Sequence, residues 1–563
     1  MNRQYAIFAI GPVQSFIAAS RKLEDLWGGS YLLSFLIKKA LMHLEEICKE
    51  KKTSCDLIYP HYSPKEQQEQ LNSKSLAVAN YPNRITFTLC ADAETSQNIL
   101  IELEKKVREE LQRIADWAVN RVFNNNTQEA KQRVITLQEQ ARNQVDAFLE
   151  VNWIAYSFQE DEGQGRQEAE RLFHALKGQR QMHYIPEKGL ACTVYQRMDA
   201  LCYEQPKPTD RYADLKRELH NTWSKRNRSY QPSSKDDENA RIRNNEYLCA
   251  ISLVRRVARD FFQEEYGVGS EIFRKYESVV TIRPKDTTPV DGSHDSYYAV
   301  LLMDGDNMGQ FFNVAEQEVR NTSQQLSIFA SEAVPRIVEE HSGVLLYAGG
   351  DDVLALFPVQ TVLSAAYSLR SAFGDEENGL KGATASTGIA IGHKRTPLQQ
   401  MLNQARALEK EAKSYPSTSN PQKNAFALSV LPRSGEFLGP TVLPWECEGS
   451  ILTEELSKLV KLLSNVMSTS FIYQFSSTFQ SMIDAKEQHN PEFLAEMVML
   501  ECRRLIDRSV YDKSKLSDLR VELSSLDMLY HHLQLEGLID LFKILAFFNR
   551  KEDTSASIDV DAS

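Results

Sequence analysis

The sequence predicts an α+β multidomain chain, and three observations carry that expectation. Between residues 297 and 430, short apolar β-rich runs alternate with amphipathic helical stretches. From Glu454 to Asn549 the pattern is helical throughout, with few glycines. At 563 residues the chain is longer than one hydrophobic core serves, and about 150 residues per domain gives about four domains. A hydrophobic fraction of 42% and a charged fraction of 25% exclude wholesale disorder.

Taken in order, Tyr5–Ile10 reads as a strand that ends at the Gly11-Pro12 turn. That turn also cuts the apolar stretch too short for a signal peptide. A helical pattern follows from Val13 to Glu46 and is expected to break at Gly28-Gly29. Pro60–Lys74 is polar and reads as a loop, and Arg84–Cys90 as a second strand. Residues 95–150 carry helical periodicity with i,i+4 charge pairs, as in Ile99–Val107 and Leu111–Val122. Residues 1–150 are therefore expected to form one domain. The stretch 151–290 shows weak periodicity and little sheet signal, and reads as a mainly helical middle domain. Within it Ser224–Arg243 is polar and aromatic-poor, the signature of a mobile surface loop. Pro284–Asp295, rich in Pro, Gly, Thr and Asp, marks the next boundary.

Residues 291–440 are the most regular. Strands are predicted at Tyr297–Met303, Val344–Tyr347, Val353–Phe357, Ala383–Gly392 and Asn424–Val430, with helices at Ser323–Glu339, Val362–Phe373 and Pro397–Ser414. The order βαββαβ of the first six elements is that of a ferredoxin-like domain, and the N-terminal part reads as a degenerate second copy. Residues 441–563 are expected to form a C-terminal helical bundle, with Lys551–Ser563 as a disordered tail.

Charge narrows the function. There are 77 Asp+Glu against 65 Lys+Arg, a net charge of -12, so the global field does not favour nucleic acid. Such contacts fall to local basic patches or to partner subunits. No apolar run approaches the ~18 residues of a membrane helix. The eight scattered cysteines suit a reducing cytoplasm.

Two acidic clusters carry chemistry. Asp304-Gly305-Asp306 ends a hydrophobic strand, and Gly349-Gly350-Asp351-Asp352 forms the tip of a predicted hairpin. In a βαββ unit the first strand lies beside that hairpin, so Asp304 and Asp352 converge. Carboxylates brought together need neutralising, and a divalent cation such as Mg²⁺ does this while accepting substrate phosphates. Two such ions can activate a hydroxyl and stabilise a pyrophosphate leaving group. The Gly305 carbonyl is a further possible ligand, and the glycines leave room for a nucleotide near the backbone. Either motif alone reads as a surface turn; in this order beside β runs, they read as a metal-dependent nucleotide site.

The chain resembles the palm of the GGDEF and nucleotide-cyclase superfamily at these clusters. More specifically, Ile10-Gly-Pro-Val-Gln-Ser-Phe16, Asp25-Leu-Trp-Gly-Gly-Ser-Tyr-Leu-Leu-Ser34 and Pro82-Asn-Arg84 resemble the large subunit of Cmr-type (type III-B) CRISPR–Cas antiviral effector complexes. The resemblance extends over essentially the whole chain. It implies two palm domains of GGDEF type, a helical middle domain and a C-terminal bundle. It also implies a cytoplasmic protein that works with other Cmr subunits, CRISPR RNA and target RNA, and that joins ATP 3′ to 5′ into cyclic oligoadenylates once target RNA is bound. Carried over by motif, Asp304, Asp351 and Asp352 are the catalytic, Mg²⁺-(or Mn²⁺-)binding residues. Gly305, Asp306, Gly349, Gly350 and Lys413 then belong to nucleotide binding; Lys413 matches a triphosphate-contacting lysine.

The sequence departs from the family pattern in three places. An N-terminal histidine–aspartate nuclease domain is not expected, because the Gly-Pro-Val-Gln signature starts at residue 11. The paired Cys-x-x-Cys motifs of a zinc site read Cys192-Thr-Val-Tyr195 and Cys249-Ala-Ile-Ser252, half of each pair being gone, so zinc is not expected. The N-terminal palm has Gly11-Pro-Val-Gln14 where an acidic pair would stand, so it is expected to be inactive but to bind a second ATP. Two other functions compete with this reading: a GGDEF-like cyclic dinucleotide synthase, and a catalytically silent scaffold that positions RNA.

Overall fold

The computed structural model describes residues 3–548 except 14–15, 18–19, 63–77, 158–161, 179–187, 205, 208, 232–240, 270–272, 277, 284–295, 417–422, 434, 436, 466–469, 485–490 and 510–524. The predicted boundary at 284–295, most of the loop at 60–74, the core of the loop at 224–243 and the tail at 551–563 lie outside the described residues. The chain packs as two compact units. One comprises Met1–Ser278, Asn307–Ser331 and Leu346–Gly350; the other comprises Val279–Asp306, Glu332–Leu345 and Asp351–Ser563.

The first unit is built on a four-stranded antiparallel sheet. Its elements are β1 (Arg3–Gly11), α1 (Leu23–Glu50), β2 (Cys55–Tyr59), β3 (Arg84–Cys90), α2 (Ala93–Phe123), α3 (Gln128–Phe148) and β4 (Glu150–Ser157). The strand order is β2-β3-β1-β4. β1 is central because it is apolar on both faces; all seven residues from Gln4 to Ile10 are buried. α2 starts where the Asp92 side chain accepts the Thr95 N–H at 2.7 Å, an N-cap that satisfies one otherwise unpaired donor. α4 (Glu162–Gly178), α5 (Tyr212–Ser224) and α6 (Ala250–Tyr266) complete this part.

Two sequence expectations change here. The stretch after residue 150 opens on a strand, β4, where little sheet signal was expected. Its register on β1 runs from Gln4↔Ser157 to Gly11↔Glu150. As an edge strand with every interior residue only half-buried, it lacks the alternation that marks a one-sided strand. Second, Gly28-Gly29 does not break α1. A Cβ on Gly28 would sit 2.6 Å from the Arg255 carbonyl oxygen, so that glycine allows α1 and α6 to approach closely.

The surrounding signature residues serve the same junction. Asp25, buried in α1, takes two bonds from Arg256 of α6, Nε at 2.5 Å and a terminal nitrogen at 2.9 Å; Glu246 accepts a third at 2.7 Å. Burial alone would raise the Asp25 carboxyl; the Arg256 guanidinium outweighs it and holds it below its ordinary range. Trp27 packs on Tyr31, Phe262, Phe273 and Tyr276. Asn83 fastens the end of β1 through two bonds with the Ile10 backbone, at 3.0 and 3.1 Å.

The second unit contains β5 (Tyr297–Gly305). The chain then supplies α7 (Gly309–Phe312) and α8 (Glu316–Ile328) to the first unit, and a π-turn, Phe329–Ala333, leads into α9 (Val334–Glu340). β6 (Val344–Ala348), β7 (Val353–Phe357), α10 (Val362–Gly374), β8 (Ala385–His393), α11 (Leu398–Lys413), β9 (Ala425–Leu431) and β10 (Leu438–Pro444) follow. The sheet order is β10-β9-β8-β5-β7-β6. Its four strands from β8 to the β6 edge, β8-β5-β7-β6, repeat the order β4-β1-β3-β2 of the first sheet. β9 then adds in parallel beside β8, as a crossover through α11 requires. A small hairpin, β11 (Glu446–Cys447) and β12 (Ser450–Ile451), precedes the helices α12 (Leu452–Asn465), α13 (Ser470–Asp484), α14 (Pro491–Ser509) and α15 (Ser525–Phe548). Among the described residues no helix is long and apolar enough to cross a membrane.

Candidate active site

The site lies at one end of the second sheet. Met303 pairs with Val353 as the last pair of β5 and β7, so the antiparallel register sets Asp304 opposite Asp352 just beyond it. On its other side Asp304 pairs with Ser386 and Gly305 with Ala385 of β8. The β6–β7 turn reverses over Gly349–Asp352, and Gly350 adopts φ +97°, a conformation that favours glycine. Asp304, Gly305, Asp351 and Asp352 thus meet at adjoining strand ends, although the clusters are far apart in sequence.

Asp306 has a different situation. It is buried, and its carboxylate accepts Ser386 Oγ at 2.8 Å, Thr384 Oγ1 at 2.9 Å and the Asn424 N–H at 2.9 Å. Its own N–H donates to the Thr384 carbonyl at 2.8 Å. It stitches the end of β5 to the starts of β8 and β9, so the neighbouring carboxylates are held on a rigid base. Lys413, the last residue of α11, places its ammonium between two carboxylates: it ion-pairs with Asp304 and lies 2.8 Å from Glu409 Oε1.

The electrostatics follow from this crowding. Burial, then repulsion from Asp352, pushes the Asp351 carboxyl up to about 7; burial pushes Asp352 up to about 6. Burial and the Asp352 charge push Glu409 up to about 7. Burial and the nearby Lys423 pull Lys413 down to about 8. Negative charge is held here at a cost, as happens where a cationic ligand is to be received.

Among the described residues no three His, Cys, Asp or Glu side chains converge closely enough to hold a metal ion unaided. The donor set fits Mg²⁺ nonetheless. Its oxygens are hard ligands, and Mg²⁺ characteristically uses one or two carboxylates and completes its octahedron with waters and substrate phosphates. Sequence reasoning missed Glu409, Thr384 and Ser386. Glu409 reads as one more charge on an amphipathic helix; only the fold turns it inward.

Elsewhere, Cys192 and Cys249 are buried and brought together, each within reach of the Ser252 hydroxyl, at 3.4 and 3.5 Å. The Cys192 sulfur also receives the N–H groups of Val194 and Tyr195 at 3.4 and 3.3 Å. Tyr195 and Ser252 occupy the third place after each cysteine, where a paired motif would have its second thiol. In the first unit a cavity of about 870 Å³ lies against the sheet, lined by Tyr5, Tyr59, Arg84, Thr86, Arg166 and Phe312 among others.

Two regions of the chain match known families. Residues 297–427 match the family described as Cas10/Cmr2, second palm domain, and residues 5–116 match CRISPR-associated protein Cmr2, N-terminal. The chain is 26% identical to the CRISPR system Cmr subunit Cmr2 of Pyrococcus furiosus, over 82% of this chain and 65% of that protein, so it spans about two thirds of its relative's length. A shorter stretch, 22% of this chain and 17% of the relative, is 28% identical to the Streptococcus thermophilus single-strand-specific deoxyribonuclease Cas10/Csm1 of subtype III-A. Among solved structures the fold is similar to a chain of the type III-B Cmr-beta complex bound to cognate target RNA. There the TM-score is 0.60 at 13% identity, covering 98% of this chain and 83% of that one. The apo state of Cmr-beta gives 0.59 at 14% identity, covering 91% and 78%.

Proposed function

The chain belongs to the Cas10/Cmr2 family, and from that premise we propose that it is the large subunit of an RNA-guided type III-B effector complex whose second-sheet site joins ATP into cyclic oligoadenylates. The observation that carries this reading is the placement of Asp304 opposite Asp352 at adjoining strand ends, with Lys413 against Asp304. Both sheets are palms on this reading, and only the second is catalytic.

Asp304 and Asp352, with Asp351 beside them, would hold Mg²⁺ or Mn²⁺, and Asp306 keeps the strand ends in register. The ion, when bound, supplies charge neutralisation at the phosphates and eases loss of the 3′-hydroxyl proton. The chain's own residues do the rest. Lys413 is within reach of a triphosphate placed over Asp304 and swaps a carboxylate partner for a phosphate one. Gly349 and Gly350 admit the nucleotide to the backbone. The 3′-oxygen of one nucleotide forms a bond to the α-phosphorus of another, the bond to the β-phosphate oxygen breaks, and pyrophosphate leaves. The 3′-hydroxyl proton passes to solvent. The cavity of about 870 Å³ in the first unit has room for a second ATP, with arginines for phosphate and tyrosines for a base. Other Cmr subunits, CRISPR RNA and target RNA are the partners, in the cytoplasm. Zinc has no role, since Tyr195 and Ser252 are poor substitutes for thiolates.

The test is to assemble the complex with cognate target RNA, ATP and Mg²⁺, and to repeat it with Asp351→Ala/Asp352→Ala. Adenylate rings that vanish in the variant support the reading. A GTP-derived cyclic dinucleotide, or no product from a complex that binds RNA, overturns it.

A further inference from the structure

Lys413 stands at the very end of α11, where a helix has lost its onward hydrogen bonds and frays unless its exit is held. Two contacts there are local: the Ser414 hydroxyl donates to the Glu411 carbonyl at 2.8 Å, and the Tyr415 N–H to the Ala412 carbonyl at 3.2 Å. Any helix end makes contacts of that kind. The next contact reaches far along the chain. The Tyr415 hydroxyl lies 2.7 Å from Nδ1 of His532, in the C-terminal helix α15. Nε2 of the same imidazole lies 3.0 Å from Sγ of Cys447, in β11.

One neutral tautomer serves both contacts, with the tyrosine O–H donating to Nδ1 and the Nε2–H directed at the sulfur. Burial, then the neighbouring His531, holds the His532 imidazole below its ordinary range and so favours the neutral ring. Burial raises Tyr415 and Cys447, which stay protonated. The Tyr415 carbonyl also accepts the Lys423 N–H at 3.3 Å. One residue further, the Asn424 N–H bonds Asp306. The two ends of the α11–β9 connection are therefore tied to each other, to Asp306, and through Tyr415 to α15.

We propose that Tyr415 and His532 are positioning residues for the nucleotide site: through them the C-terminal helix holds the end of α11, and so holds Lys413 where its ammonium meets Asp304 and the incoming triphosphate. The inference rests on the nucleotide-binding reading above and deepens it. A lysine has several rotatable bonds to order, and a fixed helix end removes part of that cost before binding. The interaction is made to substrate and transition state alike, so its loss falls on KM rather than kcat.

The experiment titrates the full-length chain with a non-hydrolysable ATP analogue and Mg²⁺ by calorimetry, comparing wild type with Lys413→Ala, Tyr415→Phe, His532→Leu and His532→Asn. Tyr415→Phe removes one hydroxyl and nothing else, which guards against misfolding. Tyr415→Phe and His532→Leu are each expected to weaken the analogue about fivefold, the effect of one net hydrogen bond. Since they break the same contact, the double variant should match either single within about twofold. His532→Asn, whose amide oxygen can accept the tyrosine proton, should restore wild-type affinity, and in turnover KM should move while kcat does not. Wild-type affinity in Tyr415→Phe and His532→Leu, alongside a weakened Lys413→Ala, overturns the positioning role and leaves the nucleotide reading standing. A wild-type chain that does not bind the analogue overturns both.

Discussion

The two sheets share a strand order and differ at one end. In the first, β1 lies between β3 and β4; in the second, β5 lies between β7 and β8. Both central strands are buried apolar runs. β1 leaves the sheet through Gly11-Pro12, whereas β5 leaves through Asp304-Gly305-Asp306. Nothing in the strand pattern distinguishes them; two turns do. The scaffold supplies a place where strand ends meet, and a handful of residues decides whether that place holds charge.

Five substitutions would break or sharpen this contrast. The largest effect is expected from Asp352→Ala, which removes a carboxylate that would hold the cation. Metal-borne charge stabilisation is worth several kcal/mol, so the rate should fall about a thousandfold, with the fold unchanged by circular dichroism. In the first unit the comparable substitution is structural. Asp25→Ala takes one of two carboxylate partners, the other being Glu246, from the buried Arg256 and should cost about 3 kcal/mol, read as a lowered thermal transition. Lys413→Ala is expected to raise KM for ATP about 10–100-fold, the range of a charge-assisted contact, with a smaller change in kcat.

The smallest effect is in stability and has the opposite sign. Asp351 and Asp352 sit at about 7 and about 6 in the folded chain, against 3.8 ordinarily, so the folded state binds their protons more tightly than the unfolded one. Their contribution to stability is fully present below pH 4 and is lost as pH rises through 6 to 7. Asp351→Asn and Asp352→Asn should therefore raise the melting temperature at pH 8 by about 2–4 °C while abolishing turnover. Wild-type activity should climb over that same pH interval, because the carboxylates bind a cation only when ionised. For the buried thiols, elemental analysis of purified protein should find zinc well below one equivalent.

Much of the second sheet was legible because its strands are apolar runs bounded by Gly, Asp and Pro. Arg84–Cys90 was legible for the same reason. β2 is five residues long, β10 carries an internal Gly-Pro, and β4 is a half-buried edge; each lacks the pattern that periodicity detects. Gly28-Gly29 misled because a glycine pair marks a break in isolation and a close helix crossing in context. The acidic motifs were readable as local spacing. Their surroundings were not: Glu409 and the Tyr415–His532–Cys447 chain exist only because α11, β11 and α15 pack together, and no local window of sequence contains them.

The central claim is that the acidic strand ends of the second sheet join ATP. The most direct measurement is the mass and linkage of the product made by the assembled complex from ATP and Mg²⁺ with cognate target RNA. Rings of adenylate joined 3′ to 5′, formed with release of pyrophosphate and absent when the target RNA is non-cognate, are the result expected. Unchanged ATP in a complex that has bound its target RNA would contradict the account.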